Sequence, residues 1–408
     1  MTPLLTRRTA LLAAGALGLA RPVLAQKAPL KIGFLTVKTG PLAAGGIQEE
    51  QGLNLFLQDR KMTLAGRPVQ LITADTGGQP ANTRTKAQEL VERDGVHVII
   101  GPLAAVEALA IDDYIREKQI PVICEAAAED ITQRRANPWV VRVTASSGQC
   151  THPLADYARK ELKYNKMALI GDDFAFGHEQ NTAFQRVFEQ EGGKVVQKLW
   201  PPLNAPDYGT YIAQLSSDID AIFMCFAGSN GLKFFKAYKE YGGEKPVLGG
   251  MTAVDEATLQ QLGDDSVGVI SANFYSAQLD NPENKKFVAT MLKDYKNEPG
   301  YYASGCYIAG MALEAALLKS GGDIENKQAF MDAMRAVKID DTIRGPMSFD
   351  QYGNVVCNVY IRKVEKKSGR LVNTVIKTYP NISQFWTYDP AAFLKQPVYS
   401  RDWAAKSL

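Results

Sequence analysis

The chain alternates short apolar strands with helices, and this alternation runs through the sequence twice. In the first pass KIGFLTV, RPVQLITAD, VHVIIG and IPVICE are typical of strands separated by helical segments. A second pass begins at KMALIGDD and continues through KVVQKLW, DAIFMCF, KPVLGG and SVGVISA. Repeated β-α-β units predict parallel sheets with helices on both faces. Because 408 residues exceed one compact core, we predict two doubly wound α/β domains.

The loops that follow these strands form the predicted ligand-binding edge. Open parallel sheets bind ligands in the crevice outside the carboxyl ends of their strands. The loops expected there are 35–46, 101–107, 124–130, 171–179, 226–231 and 249–255.

One of these turns, GPLAAVE at 101–107, opens a predicted helix and carries no hydroxyl side chain. The first turn of a helix has unpaired N–H groups and the positive end of the helix dipole, so it can bind an anion. Ser or Thr usually caps such a turn, whereas Leu103, Ala104 and Ala105 stand here. We therefore expect anion binding through backbone N–H groups in apolar surroundings.

The N-terminus has the pattern of an export signal. Arg7 and Arg8 precede the apolar run TALLAAGALGLA, and a small-residue cleavage motif ends at Ala25. We predict a signal peptide over 1–25 and a periplasmic mature protein. The twin-arginine route and the general route both remain open. No later apolar run is long enough to span a bilayer, so we expect no permanent membrane insertion.

Charge and cysteine content argue against several function classes. The chain has 46 basic and 44 acidic residues, a net charge of +2, so no nucleic-acid partner is expected. Its five cysteines are widely spaced and include no C-x-x-C pair, which argues against zinc or redox chemistry. Most are expected to be buried thiols, with one disulfide left open.

Catalytic signatures are missing from the sequence. It contains no G-x-G-x-x-G, P-loop, H-E-x-x-H or G-x-S-x-G motif, and no nucleophile with an evident base partner. We predict no catalytic residue, no metal ligand and no cofactor, and hence a binding protein rather than an enzyme. An exported hydrolase that uses Asp172 and Asp173 is a distant alternative.

Several segments together resemble one known family. DTGGQPANTRTKAQELVERDGVHVIIGPL, KTGPLAAGG, MALIGDDFAFGHE and GPMSFDQYGN occur in family order across nearly all of the mature chain. They resemble type I periplasmic substrate-binding proteins of ABC importers, and more narrowly the leucine/isoleucine/valine receptors. The resemblance implies a small-molecule ligand and permease subunits as partners.

The resemblance also implies two lobes joined by a three-strand hinge. Lobe 1 would comprise 27–146 and 276–355, and lobe 2 would comprise 147–275 and 356–408. Hinge bending would close the lobes over the ligand. The aromatic tail NISQFWTYDPAAFLKQPVYSRDW is expected to pack along lobe 2 or against a partner.

The chain departs from the amino-acid receptors at their ligand contacts. By the resemblance, the hydroxyls that hold the ligand carboxylate fall on Ala105 and Ala128, and the acid that pairs with the ammonium falls on Met251. An aromatic of the first loop falls on Gly45. Since an unpaired buried ammonium costs several kcal/mol, we expect the site to reject zwitterionic amino acids.

The predicted ligand is therefore an apolar or flat monocarboxylate, first an aromatic or phenylpropanoid acid, then a long-chain or alicyclic acid. Lys38 is a candidate for added positive charge, although an exposed position in solvent is the favoured interpretation. Hydrogen bonds to a distal ligand group are expected from Gln149, Ser229, Asn230 or Thr252, and the middle two are also candidates for capping a helix. The full set of predicted ligand-binding residues is Lys38, Leu103, Ala104, Ala105, Ala126, Ala128, Gln149, Phe176, Ser229, Asn230, Met251, Thr252 and Tyr302.

Two further functions stay open at this point. A ligand-sensing regulator of the same fold would pass its state to a protein partner, and the aromatic tail keeps this reading open. A receptor for branched-chain amino acids would require that the alignment at 105, 128 and 251 be wrong.

Overall fold

The computed structural model describes residues 28–403, so the predicted signal peptide at 1–25 lies outside the described residues. The first sheet is built from the first pass of strands. Its members are β1 (Leu30–Thr36), β2 (Thr63–Leu64), β3 (Arg67–Asp75), β4 (Val98–Ile100), β5 (Val122–Cys124) and β6 (Val140–Arg142). They pair in the order β2-β3-β1-β4-β5-β6, and all neighbours except β2 and β3 are parallel.

The second sheet combines a parallel half with an antiparallel half. Its strands are β7 (Lys166–Gly171), β8 (Lys194–Leu199), β9 (Ala221–Cys225), β10 (Val247–Gly249), β11 (Ile270–Asn273), β12 (Lys338–Ile339), β13 (Met347–Phe349), β14 (Val355–Lys367) and β15 (Arg370–Ile382). The order is β12-β13-β14-β11-β10-β9-β7-β8, with β15 also on β14. The long β14–β15 hairpin turns at Ser368 and Gly369, whose φ angles of 49° and 79° suit the Ser-Gly pair.

Helices cover these sheets. They are α1 (Ala43–Asp59), α2 (Pro80–Gln88), α3 (Ala105–Lys118), α4 (Thr151–Lys160), α5 (Ala175–Gln190), α6 (Gly209–Ala213), α7 (Asn230–Glu240), α8 (Glu256–Leu262), α9 (Pro282–Tyr295), α10 (Tyr301–Lys319), α11 (Lys327–Arg335) and α12 (Pro390–Leu394). The α/β class and the two-lobed architecture predicted from the sequence are confirmed.

We call the first sheet with α1–α3 and α9–α11 the first lobe, and the second sheet with α4–α8 the second lobe. The chain passes between them three times: from β6 to α4, from β11 to α9, and from α11 to β12. The numbered lobe limits given above remain a prediction.

A close helix pair fixes one wall of the cleft. Helix α10 packs along α1, and Gly52 permits the approach because a Cβ there would lie 2.0 Å from the carbonyl oxygen of Ala303. The first turn of α10, which begins at Tyr301, is thereby held at the edge of the first lobe that faces the second.

The aromatic tail packs along the second lobe. The guanidinium of Arg186 lies 3.9 Å from the ring centroid of Tyr388 and 4.6 Å from that of Phe393. His152 is paired with the Tyr399 hydroxyl at 2.9 Å. From the first lobe, Arg134 donates to the carbonyl of Gln396 at 3.0 Å, so the tail contacts both lobes.

The cysteines also lie where the sequence predicts. All five are buried and unpaired, so the disulfide left open does not form in this structure.

Candidate functional site

A small cavity lies between the two lobes, at the carboxyl ends of their strands, and residues of both lobes line it. It is lined by Leu42, Leu103, Ala104, Ala105, Ala127, Tyr301 and Tyr302 from the first lobe, and by Phe174, Phe176, Ala227 and Thr252 from the second. None of these eleven side chains is charged.

The first turn of α3 faces this cavity. Ala104 is its N-cap residue, with extended backbone, and its N–H donates to the Glu107 carboxylate at 2.8 Å. Within residues 28–403, the backbone N–H groups of Ala105 and Val106 meet no acceptor. Two N–H groups and the positive end of the α3 dipole are therefore available to an anion in the cavity.

Glu107, which the sequence reasoning missed, holds this turn in place. Its carboxylate is fully buried and also accepts hydrogen bonds from Thr76 and, at 3.0 Å, from Thr83. Burial raises the pKa of Glu107, against the lowering effect of these donors. The three-residue spacing from Ala104 to Glu107 resembles a capping box and could have signalled this contact.

Aromatic rings form two walls of the cavity. Phe174 and Phe176 stack in the second lobe with ring centroids 6.0 Å apart. Tyr301 and Tyr302 meet edge to face in the first lobe at 5.0 Å. A Cβ on Gly45 would lie 2.8 Å from the Tyr302 ring, so the missing first-loop aromatic leaves the space that Tyr302 occupies.

Few polar groups remain in the lining. The Thr252 hydroxyl donates to the carbonyl of Phe226 at 2.8 Å, and the Tyr301 hydroxyl donates to the carbonyl of Glu125 at 3.3 Å. Burial raises the pKa of Tyr302, whose hydroxyl also meets the Gly228 backbone and the Thr252 side chain. The cavity thus combines apolar and aromatic walls with one exposed helix N-terminus.

Six of the predicted ligand-binding residues line the cavity. They are Leu103, Ala104, Ala105, Phe176, Thr252 and Tyr302. The lining adds five residues that were not predicted: Leu42, Ala127, Phe174, Ala227 and Tyr301. The first four fall in loops already assigned to the ligand edge, whereas Tyr301 begins a helix far along the chain and had no comparable signal.

The other seven predicted residues lie outside this lining, and their contact with a ligand remains a prediction. Met251 is fully buried, and its N–H donates to Gln180 at 3.1 Å. The carbonyls of Ala126 and Ala128 accept hydrogen bonds from Arg142. Gln149 donates to the carbonyls of Val355 and Ile382, both at 2.8 Å, beside the lobe crossings.

Lys38, Ser229 and Asn230 follow strands of the two lobes and make contacts within the protein. Lys38 is exposed and pairs with Glu50 at 3.0 Å. Ser229 is the N-cap residue of α7, but its side chain makes no capping hydrogen bond. The Asn230 amide donates to Asp172 at 2.8 Å.

Asp172 anchors the loop at 226–230. It accepts hydrogen bonds from the Ala227 N–H and the Asn230 amide, both at 2.8 Å. Burial raises the pKa of Asp172 to about 7. Its neighbour Asp173 contacts His178 and Arg401, each at 2.7 Å. Both acids are engaged in structural contacts.

The two lobes touch around the cavity, so the cleft is closed. The Ser229 N–H donates to the carbonyl of Pro41 at 3.3 Å. The Tyr301 N–H donates to the Asp255 carboxylate at 2.6 Å. Nearer the crossings, the Glu129 N–H lies 3.3 Å from the Glu179 carboxylate. Each contact joins one lobe to the other.

A buried acidic cluster lies in the first lobe. Carboxylate oxygens of Glu49 and Glu125 and the sulfur of Cys306 lie within 4.8 Å of one another, and all three side chains are buried. Burial raises the pKa of Glu125 to about 8 and places that of Glu49 well above its usual range. At neutral pH the Glu125 carboxyl is therefore largely protonated.

Two α/β lobes that close over one uncharged cavity define a two-lobed protein that binds small molecules. The sequence matches the family described as periplasmic binding protein over residues 29–370, and the chain belongs to that family. It is a substrate-binding protein of the ABC-transporter type, and the family and the compared structures are solute-binding proteins rather than enzymes. Within residues 28–403 no helix combines the length and apolar character needed to cross a bilayer.

Solved structures extend this comparison. A solute-binding protein of an ABC transporter from Rhodopseudomonas palustris BisB5, in complex with 3,4-dihydroxybenzoic acid, is 30% identical, with a TM-score of 0.83 over 88% of this chain and 98% of that one. A second R. palustris solute-binding protein, in complex with benzoate, is 27% identical, with a TM-score of 0.82 over 87% of this chain and 97% of that one.

A curated relative carries a different name. The Leu/Ile/Val-binding protein homolog 6 of Brucella melitensis biotype 1 is 27% identical over 365 residues, which cover 86% of this chain and 91% of the relative.

Proposed function

We propose that this protein delivers a small aromatic monocarboxylate, of the benzoate type, to an ABC importer. The observation that carries the proposal is the first turn of α3, whose Ala105 and Val106 N–H groups meet no acceptor within residues 28–403 and lie beside an uncharged, aromatic-walled cavity. The ligand would lie in this cavity and be enclosed by the two lobes.

The carboxylate of the ligand would bind at the α3 N-terminus. Backbone N–H groups and the helix dipole favour an anion there without any cationic side chain. Glu107 already accepts the Ala104 N–H, which leaves the next two N–H groups for the ligand.

The body of the ligand would lie between the aromatic walls. Phe174 and Phe176 from one lobe and Tyr301 and Tyr302 from the other suit a flat apolar ring. The solute-binding proteins crystallised with benzoate and with 3,4-dihydroxybenzoic acid support this class.

Amino acids would bind poorly. A zwitterion would bring its ammonium into a lining without a carboxylate, at a cost of several kcal/mol. Since a curated relative is named a Leu/Ile/Val-binding protein homolog, branched-chain amino acids are the second candidate class.

Delivery requires export and a membrane partner. In the proposed path the signal peptide is cleaved after Ala25 and the mature protein resides in the periplasm. The two lobes, with the residue limits predicted from the sequence, then close over the ligand. Permease subunits recognise the closed form. The sequence pattern at the N-terminus and the family membership support this path.

A thermal-unfolding panel tests the ligand class. Benzoate, 4-hydroxybenzoate, cyclohexanecarboxylate and leucine would each be added at graded concentrations. A ligand at about 100 times its Kd adds about 2.7 kcal/mol and raises the melting temperature by a few degrees. We expect stabilisation by the two benzoates and none by leucine. Stabilisation by leucine alone would overturn the proposed class.

A further inference from the structure

We propose that Asp255 is a positioning residue that holds the closed form from the second lobe by binding the first turn of α10 in the first lobe. The inference rests on the proposed closure over a ligand and names the residue that sets its strength.

One carboxylate serves helices of both lobes. Asp255 is the N-cap residue of α8, where one oxygen accepts the Ala257 N–H at 3.0 Å. Its other oxygen accepts the Tyr301 N–H, at the start of α10, at 2.6 Å. Its side chain is buried in the closed cleft, with a relative exposure of 2%. The same carboxylate therefore caps a helix in its own lobe and a helix in the opposite lobe.

The backbone of the first lobe is shaped for this approach. Gly300 precedes α10, and a Cβ there would lie 2.4 Å from both carboxylate oxygens of Asp255. The Gly300 N–H donates to Gln48 of α1 at 3.1 Å, and the Gln48 amide donates to the carbonyl of Glu298 at 3.0 Å. Contacts within the first lobe thus hold the backbone at Gly300 in place, and the second lobe supplies the carboxylate.

The contact lies beside the ligand cavity. Tyr301 and Tyr302 line the cavity from the first lobe, and Thr252, three residues before Asp255, lines it from the second. Opening the cleft would separate the carboxylate from the Tyr301 N–H and return both groups to water. The contact therefore contributes to closure in proportion to the strength of this hydrogen bond.

Within residues 28–403 no cation is paired with Asp255 directly. Burial and the neighbouring Glu256 raise the pKa of Asp255, and Arg362, which lies 3.4 Å from Glu256, lowers it only as a lesser influence. Its hydrogen-bond partners are backbone N–H groups, and one of the two belongs to the opposite lobe. Asp255 therefore loses half of these partners when the lobes separate.

The test measures the distance between the lobes directly. Spin labels are attached at Arg84→Cys in α2 and Lys236→Cys in α7, both exposed positions. Double electron–electron resonance then measures the distance between the labels, which reports cleft opening. The five native cysteines are buried, so labelling is directed to the introduced sites. The variants are D255N, D255A and G300A, and the matched control is N326A, which removes a cap of α11 within one lobe.

We expect D255N, D255A and G300A to shift the distance distribution towards longer values, whereas N326A leaves it unchanged. With benzoate as the probe, release should become about ten-fold faster in the same three variants. G300A disturbs the same contact from the first lobe and leaves Asp255 unchanged. The proposal can therefore still be tested if D255A fails to fold. Distance distributions identical to wild type in D255N and G300A would overturn the inference.

Measuring the spin-label distances without benzoate distinguishes the proposal for Asp255 from the proposed ligand class. If wild-type protein fails to bind benzoate, the proposed ligand class fails. The role of Asp255 is then still decided by the distances alone.

Discussion

Ala105 is the first helical residue of α3, directly after the N-cap Ala104, and neither residue has a side-chain oxygen that could accept a hydrogen bond from the first turn. Its methyl group lines the cavity and leaves its own N–H without an acceptor among the described residues. A polar side chain here would compete with the ligand for the helix N-terminus. The absence of a side-chain hydroxyl is therefore the feature that makes the backbone available to an anion.

Charge at position 105 should decide whether an anion binds. Ala105→Asp places a carboxylate in the cavity, whereas Ala105→Asn places a neutral group of the same shape there. We expect A105D to bind benzoate at least about ten-fold more weakly than A105N, because like charges repel at short range. Because Ala105 is buried, both substitutions add bulk to the packed turn, and A105N serves as the control for that shared change. Equal calorimetric affinities would show that the anion lies elsewhere.

Loss of one aromatic wall should weaken binding without loss of the fold. Phe176→Ala removes a ring that stacks on Phe174 at 6.0 Å. The expected loss is about 2 kcal/mol of binding free energy, about 30-fold in Kd. Tyr241→Ala is the control, since that ring is 66% exposed and outside the cavity. Unchanged benzoate affinity in F176A would contradict the placement of the ring of the ligand.

At the scale of elements, α10 links the fold to the site. Along its length it packs on α1 through glycine contacts, and at its first turn it presents Tyr301 and Tyr302 to the cavity. The Tyr301 N–H of the same turn donates a hydrogen bond to Asp255 of the second lobe. The position of this helix therefore sets both the shape of the cavity and the contact that closes it.

A methyl group between α1 and α10 should destabilise the protein. Gly52→Ala places a Cβ 2.0 Å from the carbonyl oxygen of Ala303, and backbone cannot yield as a flexible side chain would. We expect a loss of about 2–3 kcal/mol in the free energy of unfolding by urea. Gly249→Ala is the matched control, because its nearest neighbour would lie at 3.4 Å. Equal stability of the two variants would contradict this packing.

For the molecule as a whole, the sequence predicts local order well and contacts between lobes poorly. Strand and helix periodicity identifies the two α/β lobes, and α3 begins at Ala105 as expected. Tyr301, Asp255 and Glu179 reach their partners only after the chain has crossed between lobes, and no local pattern encodes such pairs. Gly45 shows the same limit, since the ring that fills its space lies in a helix 257 residues later.

Buried carboxyls should make the stability of the whole protein depend on pH. Burial raises the pKa of Glu125 to about 8 and those of Asp172 and Asp255 to about 7, whereas carboxyls in the unfolded chain titrate near 4. Between about pH 4 and pH 7 the folded protein retains protons that the unfolded chain has released. The free energy of unfolding should therefore fall as pH rises through this range, and level off above about pH 8.

Glu125→Gln tests this dependence. Without this carboxyl, the decrease in the free energy of unfolding with rising pH should be smaller by about 1.4 kcal/mol per pH unit between pH 5 and pH 7. Urea unfolding at several pH values measures this decrease. Glu117→Gln, at an exposed position, is the control and should leave the slope unchanged. A slope in E125Q equal to that of the wild type would mean that Glu125 is ionised in the folded protein.

The central claim is that the closed cavity binds an aromatic carboxylate through the α3 N-terminus. Calorimetric titration with benzoate, its neutral analogue benzamide, and leucine tests this claim most directly. We predict tight binding of benzoate, binding of benzamide weaker by about 100-fold or more as the charge is lost, and no heat with leucine. Tight binding of leucine, or equal binding of benzoate and benzamide, would contradict it.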